Sequence, residues 1–124
     1  MIKKLFLLIL LLTPSNSFAD TINDKVLELQ TSWDHISFEI KSNRHQKKAF
    51  KDLSQLAINY SNQYSDSAEI KAWAGIIIST EAGFYRLNVV KALKTATLAK
   101  DILEEALLLD SNVINGGVYA SLGL

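Results

Sequence analysis

The chain has 124 residues with 13 basic and 13 acidic side chains, a formal charge of zero, 48% hydrophobic content and no cysteine. That balance excludes the broad basic field with which proteins gather nucleic acid or anionic lipid. Without cysteine there is no disulfide and no lipid-bearing thiol, so the core has to come from helix packing alone.

Residues 1–19 have the form of a cleaved signal peptide. Lys3 and Lys4 precede an unbroken apolar run from Leu5 to Leu12, Thr13-Pro14-Ser15-Asn16 breaks it, and Ser17-Phe18-Ala19 offers small residues before Asp20. The run is far shorter than the ~20 residues that span a membrane. The expected location is therefore periplasmic or secreted, with no stable membrane anchor. Removing Lys3 and Lys4 leaves 11 basic against 13 acidic residues, a charge of about −2. What remains, about 105 residues, is enough for one small domain.

From there the period is helical. Ile22, Val26, Leu29, Trp33, Ile36 and Ile40 recur at spacings of four and three, one apolar stripe from a start at Thr21-Ile22-Asn23-Asp24 to an end at Ser42-Asn43. Phe50, Leu53, Leu56, Ala57, Tyr60 and Tyr64 form a second stripe, closed by the turn-forming residues 61–67. Asp66, with Glu69 three residues on, reads as the cap of a third helix carrying Ile70, Trp73, Ile77 and Glu81, widened by Ile76 and Ile78 and stopped at Gly83. Phe84 to Asn88 reads equally as a connection or an early helix start. From Val89 the stripe resumes through Val90, Leu93, Ala96 or Thr97, Ala99, Leu103, Ala106 and Leu109, and Gly116-Gly117 set off a last, incomplete helix. The only proline lies in the leader and no run alternates as a strand would. The fold class is all-α, about four helices plus an incomplete fifth, in one domain made of a 20–66 helix pair and a 67–124 unit. The end at Ser121-Leu122-Gly123-Leu124 is apolar and uncapped. It reads as a chain cut short, or as one finished by contact with another molecule.

Residues 99–112 carry the strongest pattern. Ala99 and Ala106 flank a bulky Leu103, and Asp110-Ser111-Asn112 follows as a turn. The small residues let a neighbouring helix come close while Leu103 fills the gap, although an ordinary amphipathic helix in a bundle would read similarly. With Trp73-x2-Ile76-Ile77-x2-Thr80 upstream and Tyr119-x2-Leu122-Gly123 restarting the pattern downstream, residues 67–124 resemble the tetratricopeptide repeat, a helix-turn-helix unit of ~34 residues. Trp73 and Ala99 are further apart than in a standard repeat, and Ser111 stands in place of the turn proline. The chain is more loosely similar to exported bacterial proteins with divergent repeats, among them the helical accessory T component of TRAP transporters. The resemblance implies antiparallel helix hairpins stacked as a short right-handed superhelix, with Lys71, Ala74, Ile78 and Glu81 facing its groove.

Chemistry is sparse. His35 and Glu39 share a helix face, two ligands where a zinc site wants three or four, and a surface histidine is the simpler reading. There is no nucleophile signature, no phosphate loop and no pair of facing carboxylates: Glu104 and Glu105 are adjacent and diverge, and Glu105 reads as part of a solvated face with Lys100 and Asp101. No catalytic, cofactor or metal residue is expected. Lys41, Arg44, His45, Lys47, Lys48 and Lys51 form a basic cluster that could dock an acidic partner or phosphate, and otherwise reads as a solvated turn between helices. It lacks the interleaved aromatics that stack nucleobases. Phe84-Tyr85-Arg86 has the composition of a binding hot spot, or Phe84 simply plugs the corner between the third and fourth helices. The candidate partner-binding residues are thus Lys71, Ile78, Glu81, Phe84, Tyr85 and Arg86. The expected function is a non-catalytic scaffold for another protein or peptide, with self-association through the C-terminal helix. The alternative is a small-ligand-binding accessory of a periplasmic solute-uptake system.

Overall fold

A computed structural model describes residues 18–123. Residues 1–17, and with them nearly all of the expected signal segment, lie outside it. The described chain is all-helical: α1 (Phe18–Phe38), α2 (Asn43–Gln63), α3 (Ala68–Ala82), α4 (Val89–Leu109), a short 3-10 turn (Val113–Gly116) and α5 (Gly117–Leu122). None of the helices described is long and apolar enough to cross a membrane.

Local chemistry sets the boundaries, and moves three of them from where the pattern put them. Helix α1 is already formed at Phe18, ahead of the expected start at Thr21, and no glycine or proline interrupts residues 18–21. It stops at Phe38 because Ser42 serves the next helix instead, accepting a hydrogen bond from the His45 backbone N–H. The Gln46 amide of α2 then donates to the α1 carbonyls of Ile36, 3.1 Å, and Ser37, 3.4 Å, satisfying a helix end that would otherwise be bare. Ser67, not Asp66, caps α3, its hydroxyl 3.2 Å from the Ile70 N–H. Gly83 does end α3, but in right-handed conformation (φ −62°), so the stop owes nothing to glycine's left-handed freedom.

Helix α3 is the centre of the molecule. It packs against α1, α2, α4 and α5, and it is buried on nearly every face, which suits its almost wholly apolar sequence. This order of contacts is compatible with two stacked helix hairpins, α1–α2 and α3–α4, with α5 starting a third. Trp33 ties α1 to α3 by donating from Nε1 to the Thr80 hydroxyl at 3.2 Å and lying edge-on to Trp73. The closest approach is between α3 and α4. Gly75 offers no side chain there, and a Cβ placed on it would lie 2.4 Å from Leu103 Cγ. Ala99, Leu103 and Ala106 are all buried along this contact, as the small-large-small pattern predicts.

The rest of the expected α4 stripe is not buried. Val90 and Leu93 are 65% and 63% exposed, and Leu109 is exposed as well. At 15 residues against 21, α3 is roughly 9 Å the shorter at 1.5 Å per residue, so the first turns of α4 have little to rest on. Beyond α4, Asp110 accepts from the Asn112 N–H at 2.9 Å, an Asx turn. Ile114, Asn115 and Gly116 then take positive φ in succession (47°, 52° and 82°). For β-branched Ile114 that is a strained backbone, held while Val113 and Val118 close over Ala72, Leu103 and Ala106.

Candidate binding cleft

The concave feature with the most chemistry lies where α2 and α4 begin. Glu81 closes the last turn of α3, and two successive turns fold residues 83–88 back on it, through Phe84 N–H to Glu81 O at 2.9 Å and Asn88 N–H to Tyr85 O at 3.1 Å. These turns decide where the Phe84-Tyr85-Arg86 trio points. Phe84 goes inward and packs on Phe50, ring centres 5.6 Å apart. Tyr85 is buried and donates its hydroxyl hydrogen to Glu81 Oε2. Arg86 and the fully exposed Leu87 go outward. Phe84 thus packs inward on α2, and the outward residues of the connection are Arg86 with Leu87, a residue the composition argument passed over.

Asn88 caps α4, its side chain accepting from the Lys91 N–H at 3.1 Å, and this sets the Lys91 ammonium 4.5 Å from the centre of the Tyr85 ring. From α2, Lys47 reaches the same ring at 5.3 Å. Between them opens a cleft of about 750 Å³ lined by Asn43, Lys47, Thr80, residues 83–88 and Lys91. A second hollow of about 410 Å³ shares Lys47, Tyr85 and Lys91 with it and adds Arg44, Lys48 and Lys51. Apart from Lys41, which precedes the helix, the basic cluster expected in a turn therefore sits on the first turns of α2, exposed but helical. The apolar stripe begins only at Phe50, which is why residues 43–49 did not read as helix.

The electrostatics are one-sided. No acidic residue lines the cleft, and neither α2 nor α4 has one in its first turn, where helix dipoles favour them. Asp52, in the second hollow, is paired with Lys48 at 3.5 Å. Glu81 is only 8% exposed and is taken up by Tyr85. Burial, then the hydrogen bond and the charge of Glu81, push the Tyr85 phenol up to about 12 from the usual 10.0. The ring therefore stays neutral under ordinary conditions. Such a surface can hold an anion by charge and hydrogen bonding.

The raised phenol has a measurable consequence. Folded Tyr85 keeps its proton over a range in which the unfolded chain loses it. The stability this carries is whole below pH 10 and is lost as pH rises through 12, a loss on the order of 2 kcal/mol. Urea midpoints of wild type and Tyr85→Phe, measured from pH 8 upward, should converge above pH 10. Parallel curves would show that Tyr85 is not held in this way.

The other expected site residues lie elsewhere or deeper. Lys71, Ala74, Ile78 and Glu81 do not line an open groove; all four are buried. Ile78 and Ala74 are core. The Lys71 ammonium reaches Glu105 at 2.8 Å and the Ser61 hydroxyl at 3.2 Å, so Glu105 is a partner of α3 and not, as expected, of Lys100, which lies 3.9 Å from Glu104. His35 and Glu39 do share a face, 2.6 Å apart and exposed. Among the described residues no three His, Asp or Glu gather within reach of one metal ion. Two residues escaped the sequence reading: Gly75, whose signal was an isolated glycine inside a helical pattern, and Lys91, three residues beyond the Asn88 cap. No protein-family model, curated protein or solved structure matches the chain.

Proposed function

We propose that the chain is an exported, non-catalytic helical scaffold of tetratricopeptide-like hairpins that binds another protein or peptide at the rim of this cleft. The observation that carries the reading is the connection between α3 and α4. It anchors Phe84 and Tyr85 inside and sets Arg86 and the fully exposed Leu87 at the mouth of a 750 Å³ cleft. An arginine and a leucine presented together on a rigidly held turn suit a docking surface. Self-association through the C-terminal region belongs to the same proposal, since Leu108 and Tyr119 are exposed there.

The test is a photo-crosslinking residue placed in the living cell at Leu87, at Tyr119 and, as a control, at exposed Leu27 on α1. The expected result is a protein adduct from position 87, an adduct of twice the chain mass from 119, and none from 27. Equal yields from 87 and 27 would reject the docking rim. The small-ligand reading keeps one observation in its favour, a cleft volume within the ~300–1,000 Å³ of small-molecule sites. A thermal shift with organic acids, together with no adduct at 87, would establish it instead.

A further inference from the structure

The cations of the cleft come from two places far apart in sequence. Arg44, Lys47, Lys48 and Lys51 belong to α2, whereas Arg86 and Lys91 belong to the connection and the start of α4. Folding brings them together with a single acid in the lining, Asp52, which is paired with Lys48. Among the described residues, only Lys48 of the six has a carboxylate within 4 Å. Two lysines elsewhere are paired, Lys71 with Glu105 and Lys100 with Glu104. Gathering like charges around two helix starts works against folding, and an anion arriving from outside would relieve it.

Four features narrow what that anion is. The two hollows adjoin through Lys47, Tyr85 and Lys91, so together they form a track longer than a compact ion needs. Leu87 stands in the lining of the track, fully exposed and without neighbours to cover it, so the occupant has an apolar group as well as charge. Tyr85 is buried beneath Lys47 and Lys91 and Phe84 is packed on Phe50, which leaves no free ring to stack a base. The track is also concave, which fits an inserted chain better than the plane of a bilayer.

Resting on the docking reading above, we infer that this track seats an acidic segment of a partner protein. Its carboxylates meet Lys47, Arg86 and Lys91, and an apolar side chain lies against Leu87. Charge complementarity of this kind fixes register and speeds association, and it is salt-dependent.

A display library of short random peptides, panned against the full chain, tests this without knowledge of the natural partner. Selected peptides should be rich in Asp and Glu with interspersed apolar residues. Their affinity should fall at least about tenfold in a Lys47→Gln/Arg86→Gln/Lys91→Gln variant, and should fall as ionic strength rises from about 0.01 to about 0.15 M. A Lys25→Gln/Lys100→Gln variant, neutralised away from the track, should bind as wild type does. Circular dichroism and melting temperature establish that both variants are folded. Peptides selected without acidic bias, or acidic peptides indifferent to the triple substitution, overturn the inference while leaving the scaffold reading in place. Flotation of wild type, but not of the triple variant, with phosphatidylglycerol vesicles and no peptide selected would overturn it in favour of a lipid surface. No peptide, no flotation and no adduct at position 87 would bring down both readings.

Discussion

Gly75→Ala lowers the unfolding free energy by about 1–3 kcal/mol, although alanine is the better helix former by about 1 kcal/mol. The reason is spatial. The new methyl carbon would sit 2.4 Å from Leu103 Cγ and 2.5 Å from Cδ2, with the Ala99 carbonyl at 3.3 Å on another side. Leu103 is 1% exposed, so either its side chain gives way toward the hollow of about 310 Å³ that it also lines or α3 and α4 move apart. Leu103→Ala alone costs about 2–5 kcal/mol, since it empties a site in a packed core. In the Leu103→Ala background the sign reverses: Gly75→Ala becomes neutral or mildly stabilising, because its methyl group now fills part of the hole and helix propensity is regained. Urea unfolding of the four proteins in a double-mutant cycle reads the coupling directly. Additive effects would mean that the two residues do not touch.

This pair also shows what the amino-acid sequence could and could not convey. Ala99, Leu103 and Ala106 announce a close helix contact by their sizes alone. Gly75 answers them, but matching it to Leu103 requires knowing which turn of α3 crosses which turn of α4, a tertiary fact with no local trace. The same limit governs α4. Its apolar period runs unbroken from Val90 to Leu109, yet burial begins only at Ala99, because periodicity reports a face and says nothing of the length of the neighbour. At the candidate site, composition found Phe84-Tyr85-Arg86, and two backbone turns then split the trio, two residues inward and one outward. Net charge was equally silent about the cleft. A neutral total conceals Lys47 and Lys91 meeting at one end of α2 and α4, while Glu69 and Asp110 mark the far ends of α3 and α4. Antiparallel hairpins alternate their ends, and this arrangement sorts the charges.

Lys71 separates a structural role from a recognition role. If it faced a partner groove, replacing it would alter binding and leave folding alone. Buried as it is, 7% exposed between Ser61 and Glu105, it should do the opposite. Lys71→Ala costs about 2–4 kcal/mol, because the alkyl stem is lost from the α3 contact and Ser61 loses its partner in a buried setting. Lys71→Met keeps the stem and removes the ammonium that has to be desolvated, so it should lie within about 1 kcal/mol of wild type. Glu105→Ala leaves that ammonium without its counter-ion. Water can reach it from the half-exposed glutamate side, so the cost stays near 1–2 kcal/mol, below that of severing a fully buried pair. The order predicted for stability is wild type and Lys71→Met, then Glu105→Ala, then Lys71→Ala, read from denaturant midpoints at neutral pH. Binding of the peptides selected on the basic track should be the same in all four, because Lys71 lies in the α3 core with Glu105 of α4 and the track is built on Lys47, Arg86 and Lys91. If Lys71→Met abolished peptide binding while leaving the midpoint unchanged, the buried pair would be part of the recognition surface, and the division drawn between core and cleft would fail.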